Sequence, residues 1–370
     1  MAEPVGGRAA VAGATGSCMD VALLKSWDFS AWEASQGAGQ LPYRIDHLRD
    51  HGVRLRWTDA LHRPGWERSL TARVLRRAEA AAVPFVQAAL MAPRIAAAPV
   101  TLAMFESEAN ALAAARRATP GRRRGALVVV SCWLADILER AGPARRAWYR
   151  WAYGSVDRLF YLSANQGPVL AEHLGMGPDR LRHVPFGVDH ETFTPLGGDD
   201  DGYVLVVGRD RGRDWPTLFA AAEGLGMAVK VCCRPGDVAG LAVPAGVEVL
   251  GYVERDRYRQ LLGRARVVAV ASRPVVYPSG QSVLLEAMAM GRAVVVTATA
   301  ALGEYVVDGV TALAVPAGDP TALRQAVLEA AGDDALRARL GVAGRAAVED
   351  RFNARAMWGA VASELWSLRG

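Results

Sequence analysis

The chain is poor in sulfur, has no apolar run long enough to cross a membrane, and lacks the common glycine signatures of nucleotide-binding loops. Its four cysteines, Cys18, Cys132, Cys232 and Cys233, show neither disulfide nor metal-ligand spacing, which argues against a disulfide scaffold and for a reducing compartment. Cys232 and Cys233 lie side by side in an apolar run, where cysteine behaves as a small hydrophobe. No His or Asp cluster has metal spacing, and His47, His51 and His62 are expected on surfaces rather than on a metal. No G-x-G-x-x-G follows the first strand and no G-x-x-x-x-G-K-[ST] occurs, so a dinucleotide dehydrogenase or a P-loop NTPase is poorly supported. Residues 1–17 are rich in Ala and Gly and lack the charged start and apolar core of a signal peptide; they read as a flexible leader. A cytoplasmic protein is expected.

What is present is ample core material. Of 370 residues, 51% are hydrophobic and 22% charged, an ordinary globular mix whose length suits two domains. The net charge of +5, much of it arginine, weakly favours anionic ligands or surfaces. Strand-length apolar runs alternate with helical patterns. Asp20–Leu24 opens the series, and Leu41–His51 reads as a helix with Pro42 in its first turn. Val53–Trp57, Val100–Phe105, Ala126–Val130 and Arg158–Leu162 read as strands, with helices at 69–82, 86–97 and 166–174. A second set begins at Tyr203–Val207 and runs through Met227–Cys233, Val247–Leu250, Val267–Ala271, Ala293–Thr297 and Thr311–Val315. Such alternation implies parallel α/β sheets. The expected divisions are 18–186, a linker at 187–201, a second domain at 202–352, and a last helix from 353 that crosses back to the first domain.

The stretch Tyr277–Gly291, Y-P-S-G-Q-S-V-L-L-E-A-M-A-M-G, lies between two of these strands. Pro278, Ser279 and Gly280 form a loop, and a helix is expected from about Ser282, a good N-cap, to Gly291. Glu286 falls one position too late for a capping box, so it has no evident structural role. In a parallel sheet the loops at the strands' C-terminal ends bind ligands, and a helix N-terminus there attracts anions. After the second domain's first strand come Gly208, Arg209, Asp210, Arg211, Gly212, Arg213 and Asp214. Three arginines at a strand's end match phosphate oxygens in geometry and charge, although Asp210 and Asp214 could simply neutralise them in a solvated turn. With the helix terminus they make two anion sites on one domain, and a diphosphate would use both.

Three pieces taken together resemble the retaining glycosyltransferases of family 4, which have the GT-B fold: α/β, with two Rossmann-like parallel-sheet domains facing a central cleft. They are Val207-Gly208-Arg209, Pro185-Phe186-Gly187-Val188-Asp189 with Phe193 and Pro195, and Leu285-Glu286-Ala287-Met288-Ala289-Met290-Gly291. The likeness is strongest over residues 180–350. It implies transfer of a sugar from a nucleotide-diphosphate sugar to an acceptor held by the N-terminal domain, with no metal, no cofactor and no nucleic acid. By resemblance, Arg209 and Arg213 stand where the family grips the donor diphosphate, Arg213 taking the place of a lysine. Glu286 would hold the nucleotide ribose. Ser279, Gly280, Gln281, Ser282 and Val283 would line the donor, with Gly208 beside the arginines. Tyr252 and Val253 resemble the loop that meets the base, and Gly37 and Gly39, with Asp28, the loop over the donor phosphates.

Two departures stand out. Eight residues before Glu286 the family has a carboxylate that grips the sugar hydroxyls, and this chain has Pro278. Ser279, Gln281 and backbone N–H groups at 280–282 are the available substitutes, which puts donor identity in question. The histidine that often follows an N-terminal strand is replaced by Ser131, Cys132 or Trp133. A nucleotide-sugar epimerase or phosphorylase on the same fold, or a catalytically weak sugar-binding subunit, are the alternatives. The acceptor, whether small molecule, glycan or lipid-linked, is not legible. The basic stretches 73–77, 116–117 and 122–124 read as solvated helix faces, with peripheral contact to the inner face of an anionic membrane as the other reading.

Overall fold

The computed structural model describes residues 18–25, 29, 32, 40–57, 95, 97–118 and 125–369. The leader at 1–17, the helices expected at 69–82 and 86–97, and the basic stretches 73–77 and 122–124 lie outside these, apart from residues 95 and 97. Two six-stranded sheets, parallel throughout, account for the alternation in the sequence. The first contains β1 (Met19–Leu24), β2 (Val53–Arg56), β3 (Val100–Met104), β4 (Ala126–Ser131), β5 (Arg158–Tyr161) and β6 (Leu181–His183), in the order β2-β1-β3-β4-β5-β6. The second contains β7 (Val204–Val207), β8 (Val229–Cys232), β9 (Val247–Val249), β10 (Val267–Val270), β11 (Ala293–Thr297) and β12 (Leu313–Val315), in the order β12-β11-β10-β7-β8-β9. β3, β10 and β11 are buried at every residue, as strands covered by helices on both faces must be.

The helices of the first domain are α1 (Glu106–Ala118), α2 (Leu134–Arg140), α3 (Pro143–Tyr153) and α4 (Gln166–Leu174). Those of the second are α5 (Trp215–Ala222), α6 (Arg255–Arg264), α7 (Gln281–Ala289), α8 (Pro320–Gly332), α9 (Asp334–Asp350) and α10 (Ala354–Ser367). In each sheet the strand order reverses at one point, between β1 and β3 in the first and between β7 and β10 in the second. That reversal opens a crevice at the strands' C-terminal ends, where α/β proteins bind ligands. The second crevice lies between the arginine loop after β7 and the Tyr277–Gly280 loop after β10.

Three local expectations differ from the structure. Pro42–His51 is not a regular α-helix but a 3-10 segment with a break at Tyr43 and Arg44, whose φ values are 56° and 53°. The break lets Arg44 reach Asp46 at 3.1 Å and Asp189, in the linker, at 2.9 Å. The strand expected over Val100–Phe105 stops at Met104, and Glu106–Glu108 form the first turn of α1, where acidic residues favour the helix dipole. His47 is buried, with Nδ1 3.0 Å from the Asp50 carboxylate, rather than on the surface.

The last helix, α10, packs across the 3-10 segment of the first domain. Its apolar stripe buries Met357, Trp358, Val361 and Leu365. The indoles of Trp358 and Trp366 donate to the carbonyls of Tyr43 and His51 at 2.7 and 2.9 Å, and Glu364 accepts from Arg158 and Arg182. The linker is stitched to the start of this helix: Val188 donates to the Phe352 carbonyl, and Ala354 donates back to the Val188 carbonyl. A Cβ on Gly187 would lie 2.1 Å from the Asn353 oxygen, so this crossing tolerates only glycine there.

Trp358 is wholly buried and satisfies a carbonyl of the strained Tyr43–Arg44 break. Trp358→Ala is expected to destabilise the protein by about 3–5 kcal/mol, the range for removing a large buried aromatic. Trp358→Phe, which keeps most of the volume but strands the Tyr43 carbonyl, should cost less. Thermal unfolding of the two variants beside the parent measures both effects.

Candidate functional site

Gly208 follows β7, and its lack of a side chain is required. A Cβ there would fall 2.2 Å from Arg213 Nε and 2.6 Å from Arg213 Cγ. The Arg213 side chain therefore lies across the Gly208 backbone and is driven into the crevice, only 4% exposed. Its nearest acid is Asp210, at 3.6 Å from Nε. Nε and Nη1 have no hydrogen-bond partner among the described residues. Burial pulls the Arg213 pKa below its usual value, with Asp210 opposing the shift. A buried guanidinium with unpaired donors is costly, and an anion arriving from the cleft would relieve it.

The second wall comes from the β10–α7 loop. Gly280 has φ 92° and is the residue before α7, a left-handed conformation natural to glycine. A Cβ on it would lie 2.4 Å from Arg213 Nη1, so the guanidinium tip rests against Gly280. Ser282 is therefore not the N-cap that its residue type suggests. It is the second residue of a helix that begins at Gln281, and Gly280 offers no side chain to cap it. No capping side chain meets the N–H groups of Ser282 and Val283, so the helix end is open for an anion. The Val283 side chain is core, which leaves its backbone as the part that can face a ligand. Gln281 is also buried, and its Oε1 has no partner among the described residues.

The other two arginines take different roles. Arg209 is exposed and lies over the Tyr252 ring at 5.4 Å. This brings two expected donor-site residues together at the cleft edge, with Val253 half-buried beside them. Arg211 reaches across to the first domain and pairs with Asp136 on α2, which makes it a bridge between domains rather than a phosphate ligand. Asp214 caps α5 through the Thr217 backbone and hydroxyl. The acids of this loop are therefore individually committed and are not a diffuse screen around the arginines.

Glu286 sits one turn into α7 and accepts a hydrogen bond from Tyr258 Oη on α6 at 2.5 Å. Burial lifts its pKa to about 7, against the pull of the Tyr258 hydrogen bond and the Arg255 charge. Tyr258 gave no sequence signal, because its partner lies 28 residues on. Ser279 is buried and donates to Asp210 Oδ1 at 2.8 Å, as does Tyr277 Oη. Gly37, Gly39 and Asp28 lie outside the described residues. Ser131, Cys132 and Trp133 surround Glu106, whose Oε1 accepts from the Ser131 hydroxyl and from the N–H groups of Cys132, Trp133 and Leu134. Among the described residues no group of three His, Cys, Asp or Glu could hold a metal ion.

Residues 230–333 match the family model of the glycosyl transferases group 1. No curated protein sequence matches the chain. Among solved structures, sucrose-phosphate synthase from Thermosynechococcus elongatus superposes with a TM-score of 0.69 at 19% identity, covering 95% of this chain and 98% of that one. Anabaena Alr3699/HepE in complex with UDP-glucose gives 0.70 at 15% identity, over 94% of this chain and 100% of that one. A glycosyltransferase from Rickettsia africae gives 0.63 at 13%, over 95% and 98%. The match to the glycosyl transferases group 1 is thus confined to residues 230–333, and the whole chain has an α/β fold of the GT-B kind.

The raised Glu286 pKa has a definite stability sign. Its carboxyl binds a proton more tightly folded than unfolded, so its contribution is fully present below the unfolded value of about 4.5. It is lost as pH rises through about 7. Glu286→Gln keeps the acceptor for Tyr258 and removes the buried charge. The variant should melt above the parent at pH 8, and the two should converge at pH 5. Melting curves at the two pH values check this.

Proposed function

We propose that the protein is a metal-independent retaining glycosyltransferase that moves a sugar from a nucleoside-diphosphate sugar to an acceptor held by the first domain. The observation that carries this reading is the Arg213 guanidinium, buried and short of partners, beside an uncapped helix terminus at the strand-order reversal. A diphosphate supplies the oxygens that Arg213 Nε and Nη1 lack, and the α7 N–H groups face the same charge. Glu286 accepts from the ribose hydroxyls, and Arg209 with Tyr252 forms the outer edge of the donor site.

In the transfer step the bond from the anomeric carbon to the phosphate oxygen breaks, and its electron pair goes to the diphosphate. The acceptor oxygen bonds to the anomeric carbon on the same face, and its proton passes to the departing phosphate oxygen. Charge thus builds on the diphosphate as the sugar turns oxocarbenium-like. Fixed cations and helix N–H groups aimed at that charge lower the barrier more than they stabilise the bound donor. Arg209, Arg213 and the α7 terminus supply this field. Closure of the two domains excludes water and aligns the acceptor.

Peripheral contact with an anionic membrane is part of the proposal, and α3 offers a basic surface for it among the described residues. Arg116 donates to the Gly125 carbonyl and pairs with Asp157 within the domain. α3 carries three arginines and no acid, and exposes Trp148 and Trp151 one turn apart. Exposed tryptophan beside arginine suits the headgroup layer of a bilayer. The protein should pellet with vesicles of anionic phospholipid and not with phosphatidylcholine alone. Replacing both tryptophans with serine should abolish pelleting while donor hydrolysis persists.

Arg209 is exposed and supports no core, so Arg209→Ala should leave the melting temperature within about 2 °C. Its loss should lower turnover roughly 100-fold or more, the usual effect of removing one charge-stabilising donor. Donor hydrolysis and transfer, followed by NMR of the anomeric proton of the product, measure rate and stereochemistry together. Unchanged turnover would remove Arg209 from the catalytic machinery.

A further inference from the structure

The β10–α7 loop contains no acid from Tyr277 to Leu285, yet a carboxylate is built into it from the neighbouring loop. Asp210 Oδ1 accepts three hydrogen bonds of 2.8 Å, from the Gly212 backbone N–H, from Tyr277 Oη and from Ser279 Oγ. The loop's position is fixed on its other side, where Ser272 Oγ donates to the Ser279 carbonyl at 2.9 Å. The two loops meet so closely that a Cβ on Gly212 would lie 2.6 Å from the Ser279 side chain and 2.8 Å from Tyr277 Oη. Tyr277 itself is almost fully buried. Three donors from two loops thus hold one carboxylate oxygen in place.

The other oxygen has no such commitment. Asp210 Oδ2 makes no hydrogen bond among the described residues; its nearest charged neighbour is Arg213 Nε at 3.6 Å, and the side chain is 31% exposed. An ionised carboxylate accepts hydrogen bonds and repels phosphate. Its open oxygen therefore serves a neutral, hydroxyl-bearing group lying next to the anion cradle. In a nucleoside-diphosphate sugar that group is the sugar on the terminal phosphate.

We propose that Asp210 is the residue that reads the hydroxyls of the transferred sugar, with Tyr277 and Ser279 setting its orientation. The inference rests on the donor reading above and deepens it. Asp210 selects donors that place a hydroxyl on Oδ2, and it contributes nothing to holding the nucleoside diphosphate. The nearby negative charge weakens the grip of Arg213 on phosphate, so its two effects on the two parts of the donor are opposite in sign.

That opposition makes the test selective. Calorimetric titration compares UDP, GDP and ADP with UDP-glucose, GDP-mannose and ADP-glucose on the parent, on Asp210→Asn and on Ser279→Ala, with melting temperatures as the folding control. For the nucleotide the parent binds, Asp210→Asn should bind the free diphosphate as tightly as the parent or more tightly. The same variant should bind the matching nucleotide sugar at least tenfold more weakly. Ser279→Ala, which loosens one of the three bonds to Oδ1, should shift both values in the same directions by less. Parallel loss of diphosphate and nucleotide-sugar affinity in Asp210→Asn would show a loop brace and overturn the proposal, as would two unchanged affinities. A parent that binds none of the six compounds would instead overturn the donor reading itself.

Discussion

Arg213 is the constraint around which the second domain is arranged. Its stem lies on Gly208, its tip lies on Gly280, and two of its donors face no acceptor. Desolvating a cation without full pairing costs several kcal/mol, and Asp210 at 3.6 Å offsets this only in part. The isolated protein therefore holds a strained charge at the one place where the strand order opens a crevice. An anion bound there would complete an unfinished ion pair. The same incompleteness explains why two glycines, rather than two more side chains, surround the guanidinium: any Cβ would occupy the space in which the charge and its anion meet.

The domains are coupled near this site through polar contacts of modest size. Arg211 pairs with Asp136 and lies over the Tyr277 ring. Asn165 donates to the Val276 carbonyl, and Ser163 to that of Ala301. Tyr305 Oη donates to the Leu162 carbonyl and accepts from the Phe186 N–H. An apolar contact lies beside these polar bridges, where the Trp133 ring meets Tyr277 edge-on at 6.5 Å. A second apolar attachment lies where α10 buries Trp358 against the first domain.

Much of this was legible in the sequence, and the failures share a cause. Apolar runs located both sheets, and Ala293–Thr297 and Gln166–Leu174 were placed to the residue. The Gly208–Asp214 and Tyr277–Gly291 stretches were singled out, and the structure brings them face to face. The errors arose where a distant partner decides local geometry. Leu41–His51 has helical residues, but Arg44 answers to Asp189, 145 positions away. Ser282 has the chemistry of a cap, but the approach of Arg213 to Gly280 sets the start of α7 one residue earlier. Asp210 looked like a neutralising neighbour because its partners Tyr277 and Ser279 lie 67 and 69 residues downstream. Periodicity reports what a segment buries; it carries no record of which remote side chain meets it.

Both sheets are parallel with one reversal of strand order, two strands against four in the first and three against three in the second, yet among the described residues the helix ends beside them are treated differently, and the difference lies in a few acids. In the first domain the crevice between β1 and β3 is filled by the Lys25–Glu108 pair at 3.0 Å, with both side chains buried. The N–H groups of Cys132, Trp133 and Leu134, at the entry to α2, donate to Glu106 Oε1. A carboxylate from the chain thus takes the position an anionic ligand would take, and burial raises the pKa of Glu106 despite those bonds. In the second domain α7, which follows the strand at the reversal, starts after a glycine, and its nearby cation is only partly paired, with Asp210 at 3.6 Å. A helix terminus is an anion site only when the chain does not cap it. Glu106 occupies the helix end after β4, while Gly280 leaves the one after β10 without a capping side chain, so a single acid separates a closed terminus from an open one.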